Sequence, residues 1–128
     1  MSNERAGFVV AVVDDDQSVL DSLGLLLESA DYQVHLFTSG TALLESGCLP
    51  EIHCLISDID MPGMDGFELL QEVHATRTGL PAILITGYAD TFNRSQPVDR
   101  INTRFFSKPL KGPELLSAIG DSIGTTAS

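Results

Sequence analysis

The chain has 128 residues, with 18 Asp plus Glu against 7 Lys plus Arg and a formal net charge of -11. That length suits one domain, 1–128, with a full core, and 43% hydrophobic with 20% charged residues is the balance of a soluble globular protein. The acidic excess repels nucleic acid, so direct DNA or RNA binding is not expected. No apolar stretch approaches the ~20 residues that cross a bilayer. Met1-Ser2-Asn3-Glu4-Arg5 lacks the basic start and apolar run of a signal peptide. A cytoplasmic protein away from membranes is expected. Cys48 and Cys54 fit that setting: Cys54 lies inside an apolar run, and both read as small buried hydrophobes rather than a disulfide or metal site.

In chain order, Phe8-Val9-Val10-Ala11-Val12-Val13 is a continuous run that reads as a strand buried on both faces. After Asp14-Asp15-Asp16, apolar residues Val19, Leu20, Leu23, Leu26, Leu27 and Ala30 recur at helical spacing over 17–30, with Asp16 placed to cap the helix. Gln33-Val34-His35-Leu36-Phe37 alternates and predicts a half-exposed edge strand. Thr38 or Ser39 caps a short helix stopped by Gly47. A third strand is expected at about 52–57 and a third helix at 66–76, burying Phe67, Leu70 and Val73. Ala82–Ile85 and Arg104–Ser107 read as strands four and five. A last helix starts near Pro113 and buries Leu115, Leu116, Ile119 and Ile123, and the tail from Gly124 is expected to fray.

Five strands alternating with five helices predict an α/β fold: a flavodoxin-like, doubly wound parallel sheet in the order 2-1-3-4-5, helices on both faces, core about 8–123. In that topology ligands bind beyond the carboxyl ends of the strands, where the order switches. The strand endings carry the chemistry. Strand one ends in Asp14-Asp15, strand three in Asp58, strand four in Thr86 and strand five in Lys108. Clustered carboxylates repel one another, and a hard divalent cation such as Mg²⁺ relieves the repulsion. A carboxylate in that setting can act as a nucleophile toward phosphorus, with Lys108 and the Thr86 hydroxyl serving the phosphoryl oxygens.

Val12-Val13-Asp14-Asp15-Asp16, Asp58-Ile59-Asp60-Met61-Pro62-Gly63-Met64-Asp65-Gly66, Ile83-Leu84-Ile85-Thr86-Gly87 and Lys108-Pro109-Leu110 together resemble a response regulator receiver domain of two-component signalling. The resemblance covers residues 8–123. It implies that Asp58 accepts a phosphoryl group from a phosphohistidine on a sensor histidine kinase or histidine phosphotransfer protein. It implies that Asp14 and Asp15 hold Mg²⁺ (Mn²⁺ as a substitute), with Asp58 and the backbone carbonyl of Asp60 as further ligands. Lys108 would bridge to the phosphoryl group, Thr86 would be the hydroxyl switch and Phe105 the switch aromatic. The partners implied are the kinase, a downstream effector domain or protein, and a second copy in a phosphorylation-dependent homodimer. Such a domain phosphorylates itself and slowly loses the group, without turnover of a diffusing substrate.

The sequence departs from the family in 88–103. Pro97 should end helix four early, and Asn102-Thr103 stands where the family carries a small Gly-Ala pair. Tyr88 lies near the path of an attacking water and is expected to slow dephosphorylation. Three competing functions fit the residues less well. Asp58-Ile59-Asp60 mimics the acid pair of haloacid-dehalogenase-like phosphatases, but that motif normally follows strand one. A flavin-binding protein would not place Asp14-Asp15-Asp16 where phosphate sits. A receiver-like module that takes no phosphate would not need Asp14, Asp15, Asp58, Thr86 and Lys108 together. His35, His53 and His74 show no metal or triad spacing.

Overall fold

The computed structural model describes residues 7–87 and 102–127, with side chains to Ile123 in the second stretch. Five strands, β1 (Val9–Val13), β2 (Gln33–Phe37), β3 (Cys54–Asp58), β4 (Ala82–Thr86) and β5 (Thr103–Ser107), form one sheet in the order β2-β1-β3-β4-β5. Every adjacent pair is parallel. Four helices accompany them among the described residues: α1 (Gln17–Ser29), α2 (Gly40–Ser46), α3 (Gly66–Thr76) and α4 (Gly112–Ala127). The expected short helix between β4 and β5, with Pro97 and Tyr88, lies outside the described residues.

β-branched density drives the central strands. All five residues of β1, β3 and β4 are buried, as a parallel sheet covered on both faces requires. Side-chain alternation splits them between two layers. Val9, Ala11 and Val13 pack with Leu43, Phe67, Leu70 and Val73 under α2 and α3. Val10 and Val12 pack with Leu20, Leu27, Leu115 and Ile119 under α1 and α4. β2 is the half-exposed edge its alternation predicts.

The helix ends follow local chemistry. Asp16 accepts from the Ser18 N–H at 2.9 Å and opens α1. Ser39 caps α2 through the Ala42 N–H, and Gly47 closes it at φ 81°. Asp65 and Glu68 form a reciprocal capping box at the start of α3, at 2.9 and 3.0 Å.

Two boundaries and one buried face differ from expectation. β3 begins at Cys54 because Leu49–Glu51 forms a 3-10 turn and the His53 ring turns back, its Nδ1 accepting from the Val9 N–H at 2.9 Å. α4 keeps helical backbone to Ala127 instead of fraying from Gly124. Leu116 is half-buried, and Ala118 and Ser122 take inward places beside Leu115, Ile119 and Ile123.

Candidate functional site: an acidic cluster at the strand ends

The parallel topology delivers the carboxyl ends of β1, β3, β4 and β5 to one rim of the sheet. Asp14 follows β1 directly, and its backbone N–H is tied to Phe37 of β2 at 3.1 Å. Asp58 is the last residue of β3, in register with Ile85 of β4. Thr86 ends β4, and Lys108 follows β5 with its N–H bonded to Thr86 O at 2.9 Å. The Lys108–Pro109 peptide is cis.

Asp14, Asp58 and Thr86 are buried, at 2%, 4% and 4% exposure, in a rim otherwise open to solvent. Carboxylate oxygens of Asp14, Asp15 and Asp58 lie within 4.8 Å of one another. Lys108 is the counter-charge: its Nζ stands 3.5 Å from Asp58 Oδ2 and 4.0 Å from Asp14 Oδ2. Among the described residues, one ammonium therefore stands beside a cluster of three carboxylates, within 4.0 Å of two of them.

That imbalance shows in the protonation equilibria. Burial pushes the Asp58 carboxyl above its ordinary range, and Asp60 adds to the rise. Lys108 and the Asp60 N–H, which donates to Asp58 Oδ1 at 3.3 Å, oppose it without cancelling it. Burial likewise raises Asp14, with the Asp58 and Asp15 charges adding, against the Asp16 N–H and Lys108. Asp16, on the outside, is lowered by its bonds to the Ser18 hydroxyl and N–H, which fits a cap.

Mg²⁺ fits this donor set. The cluster offers only hard oxygen ligands, two of them on carboxyls that burial leaves short of balancing charge. Asp14, Asp15 and Asp58 are the side chains that would hold it. A cleft of about 400 Å³ adjoins Lys108, lined by Val19, Leu23, Leu26, Pro109 and Leu110 between α1 and the start of α4.

The structure brings Asp14, Asp15, Asp58 and Lys108 together at the rim. Phe105 is half-buried against the α2–α3 layer, its ring 6.4 Å from that of Phe67. Asp60 is joined to the cluster in a way the sequence did not suggest: its Oδ2 accepts from the Thr86 hydroxyl at 3.3 Å. Gly66 is a second residue whose role the sequence pattern does not single out. A Cβ there would stand 2.6 Å from Asp58 O and 2.8 Å from Ile59 Cα, so the loop folds back onto the β3 end only because Gly66 has no side chain. A Gly directly after a capping Asp was the available signal. The histidines lie away from the cluster: His74 Nε2 meets Leu80 O at 3.0 Å, and His35 is exposed on β2.

Comparison with known proteins agrees with this arrangement. A sequence profile of the response regulator receiver domain matches residues 10–120. The transcriptional regulatory protein FixJ of Azorhizobium caulinodans is 34% identical over 118 residues, which span 92% of this chain and 56% of FixJ. The C4-dicarboxylate transport transcriptional regulatory protein DctR of Rhodobacter capsulatus is 36% identical, over 94% of this chain and 64% of that protein. The chain thus spans little more than half the length of the curated relatives it matches. The solved structure of the response regulator StyR superposes with a TM-score of 0.83 at 36% identity, covering 95% of this chain and 62% of StyR. A receiver domain from Clostridium thermocellum gives 0.82 at 24% identity, covering 94% of this chain and 97% of its own, a likeness of fold alone. With sheet order, strand-end cluster and sequence profile in agreement, the chain belongs to the response regulator receiver domain family of two-component systems.

Proposed function

We propose that the chain is a phosphorylation switch whose acceptor is Asp58. The observation that carries this reading is the buried Asp58 carboxylate at the end of β3, facing Lys108 Nζ at 3.5 Å and sharing one cluster with Asp14 and Asp15. An oxygen of Asp58 attacks the phosphorus of a phosphohistidine on a sensor histidine kinase or phosphotransfer protein. A P–O bond forms, the P–N bond breaks, and the imidazole leaves with the electron pair and takes up a proton. Mg²⁺, bound by Asp14, Asp15, Asp58 and the Asp60 carbonyl, would supply positive charge against the phosphoryl oxygens. Lys108 is placed to meet another oxygen, because its ammonium already faces Asp58.

The Thr86 hydroxyl then turns to the phosphoryl group and vacates space into which Phe105 moves. The altered surface engages a downstream effector or a second copy. FixJ and DctR are named as transcriptional regulatory proteins, which supports an effector acting on transcription. The acidic surface argues against nucleic-acid binding by this domain itself. The apolar cleft beside Lys108 gives a phosphodonor surface to rest on within reach of the acceptor. No helix among the described residues is long and apolar enough to cross a membrane, which is compatible with a cytoplasmic role.

Acetyl phosphate with Mg²⁺, followed by intact mass, tests the reading. Wild type gains one phosphoryl group and Asp58→Asn gains none. Equal labelling of both overturns it, as does sustained turnover of p-nitrophenyl phosphate.

A further inference from the structure

Asp60 stands two residues past the acceptor, and its two ends touch two different parts of the site. Its backbone N–H donates to Asp58 Oδ1 at 3.3 Å. Its side chain reaches across to the neighbouring strand, where Oδ2 accepts from the Thr86 hydroxyl, also at 3.3 Å. Thr86 is 4% exposed at the end of β4, so its hydroxyl has few directions in which to find an acceptor. We infer that the Asp60 carboxylate is a positioning residue that latches the Thr86 hydroxyl in the unphosphorylated chain and sets how readily the switch turns. This rests on the proposed function and assigns its regulation.

The latch works by competition. A hydroxyl has one proton to donate, and while it is spent on Asp60 Oδ2 it cannot serve an oxygen on Asp58. Turning toward a phosphoryl group therefore exchanges one charged acceptor for another. An uncharged acceptor at 60 keeps the bond in weaker form, and removing the acceptor leaves the hydroxyl proton available to an oxygen on Asp58. Asp60 is exposed, so substitutions there leave the core intact.

The test compares wild type, Asp60→Asn and Asp60→Ala by NMR. Both variants remove the negative charge near Asp58, so the difference between them isolates the hydrogen bond. Without any phosphoryl mimic, three-bond couplings to the Thr86 methyl should report the same rotamer population in wild type and Asp60→Asn, and a different one in Asp60→Ala. In a titration with beryllofluoride and Mg²⁺, Asp60→Ala should reach saturation at about tenfold lower concentration than Asp60→Asn, the scale of one modest hydrogen bond. Identical Thr86 couplings in all three proteins overturn the latch, as do Asn and Ala affinities within twofold. If wild type binds no beryllofluoride, the phosphoacceptor reading fails, and the resting-state couplings still decide whether Asp60 holds Thr86.

Discussion

Replacing Gly66 with alanine adds one methyl group where two backbone segments already touch. The new carbon would lie 2.6 Å from Asp58 O and 2.8 Å from Ile59 Cα. Carbon atoms settle about 3.5–4.0 Å apart, so one segment has to move by the better part of an ångström. Neither is free to do so. The Ile59 N–H is bonded to Ile85 O at 2.8 Å, the Gly66 N–H to Ile59 O at 3.1 Å, and the Asp65–Glu68 capping box fixes the helix start. Overpacking of this kind costs about 1–3 kcal/mol, and contact with backbone on both sides puts Gly66→Ala near the upper end. With an unfolding entropy of about 2.1 cal/mol/K per residue, about 3 kcal/mol lowers the Tm of a chain this size by about 11 °C. Gly120→Ala is the control, because among the described residues its Cβ would meet only Tyr32 Oη, at 4.0 Å. Alanine there gains roughly 0.8–1.0 kcal/mol of helix propensity and should raise Tm by about 3 °C. Thermal unfolding followed by circular dichroism in EDTA reads both. Because the displaced segment carries the acceptor, acetyl phosphate labelling of Gly66→Ala should also fall, by as much as ~100-fold for a shift near 1 Å. A Gly66→Ala Tm within ~2 °C of wild type would refute the reasoning.

Two further predictions follow from buried polar groups. The Asp14 and Asp58 carboxyls are raised above 3.8 in the folded chain, chiefly by burial. Across the window from 3.8 up to those raised values the folded state binds more protons than the unfolded one. Their contribution to stability therefore falls as pH rises through that window and is fully unfavourable above it. Asp58→Asn should accordingly melt higher than wild type at pH 7 in EDTA, by on the order of 1 kcal/mol, and the gap should close or reverse when Mg²⁺ stabilises wild type; an unchanged gap with Mg²⁺ would argue against metal binding. Thr103 Oγ1 is buried without a hydrogen-bond partner among the described residues. Thr103→Val keeps the shape and removes the stranded hydroxyl, so urea denaturation should show a gain of about 1 kcal/mol, and a loss would point to a bond that the hydroxyl makes.

Much of this molecule was legible because its sheet is buried on both faces. Runs such as Val9–Val13 and Ala82–Thr86 can be little else, and once strand order follows from alternation, the rim collects whatever residue ends each strand. That is why Asp14, Asp15, Asp58 and Lys108 could be grouped from positions spread across the chain. What escaped depended on atoms rather than pattern. The His53 ring shortened β3 by bonding to the Val9 N–H, a contact between residues 44 apart that no local signal carries. The Asp60–Thr86 bond spans 26 residues and depends on the direction of one exposed side chain. The crowding at Gly66 is a fact about the neighbouring backbone, invisible in the letter G.

Phe105 and Phe106 are consecutive in β5 and so stand on opposite sides of the sheet. Phe105 packs with the α2–α3 layer and Phe106 with the α1–α4 layer. A ring that turns about its own side-chain bonds disturbs one layer and leaves the other at rest. A strand that twists about its axis displaces both rings at once, in opposite senses. The two aromatics are therefore a paired gauge. Resonances on the α1–α4 side that stay still while those on the α2–α3 side move would assign the response to the side chain alone. Matched movement on both sides would assign it to the strand.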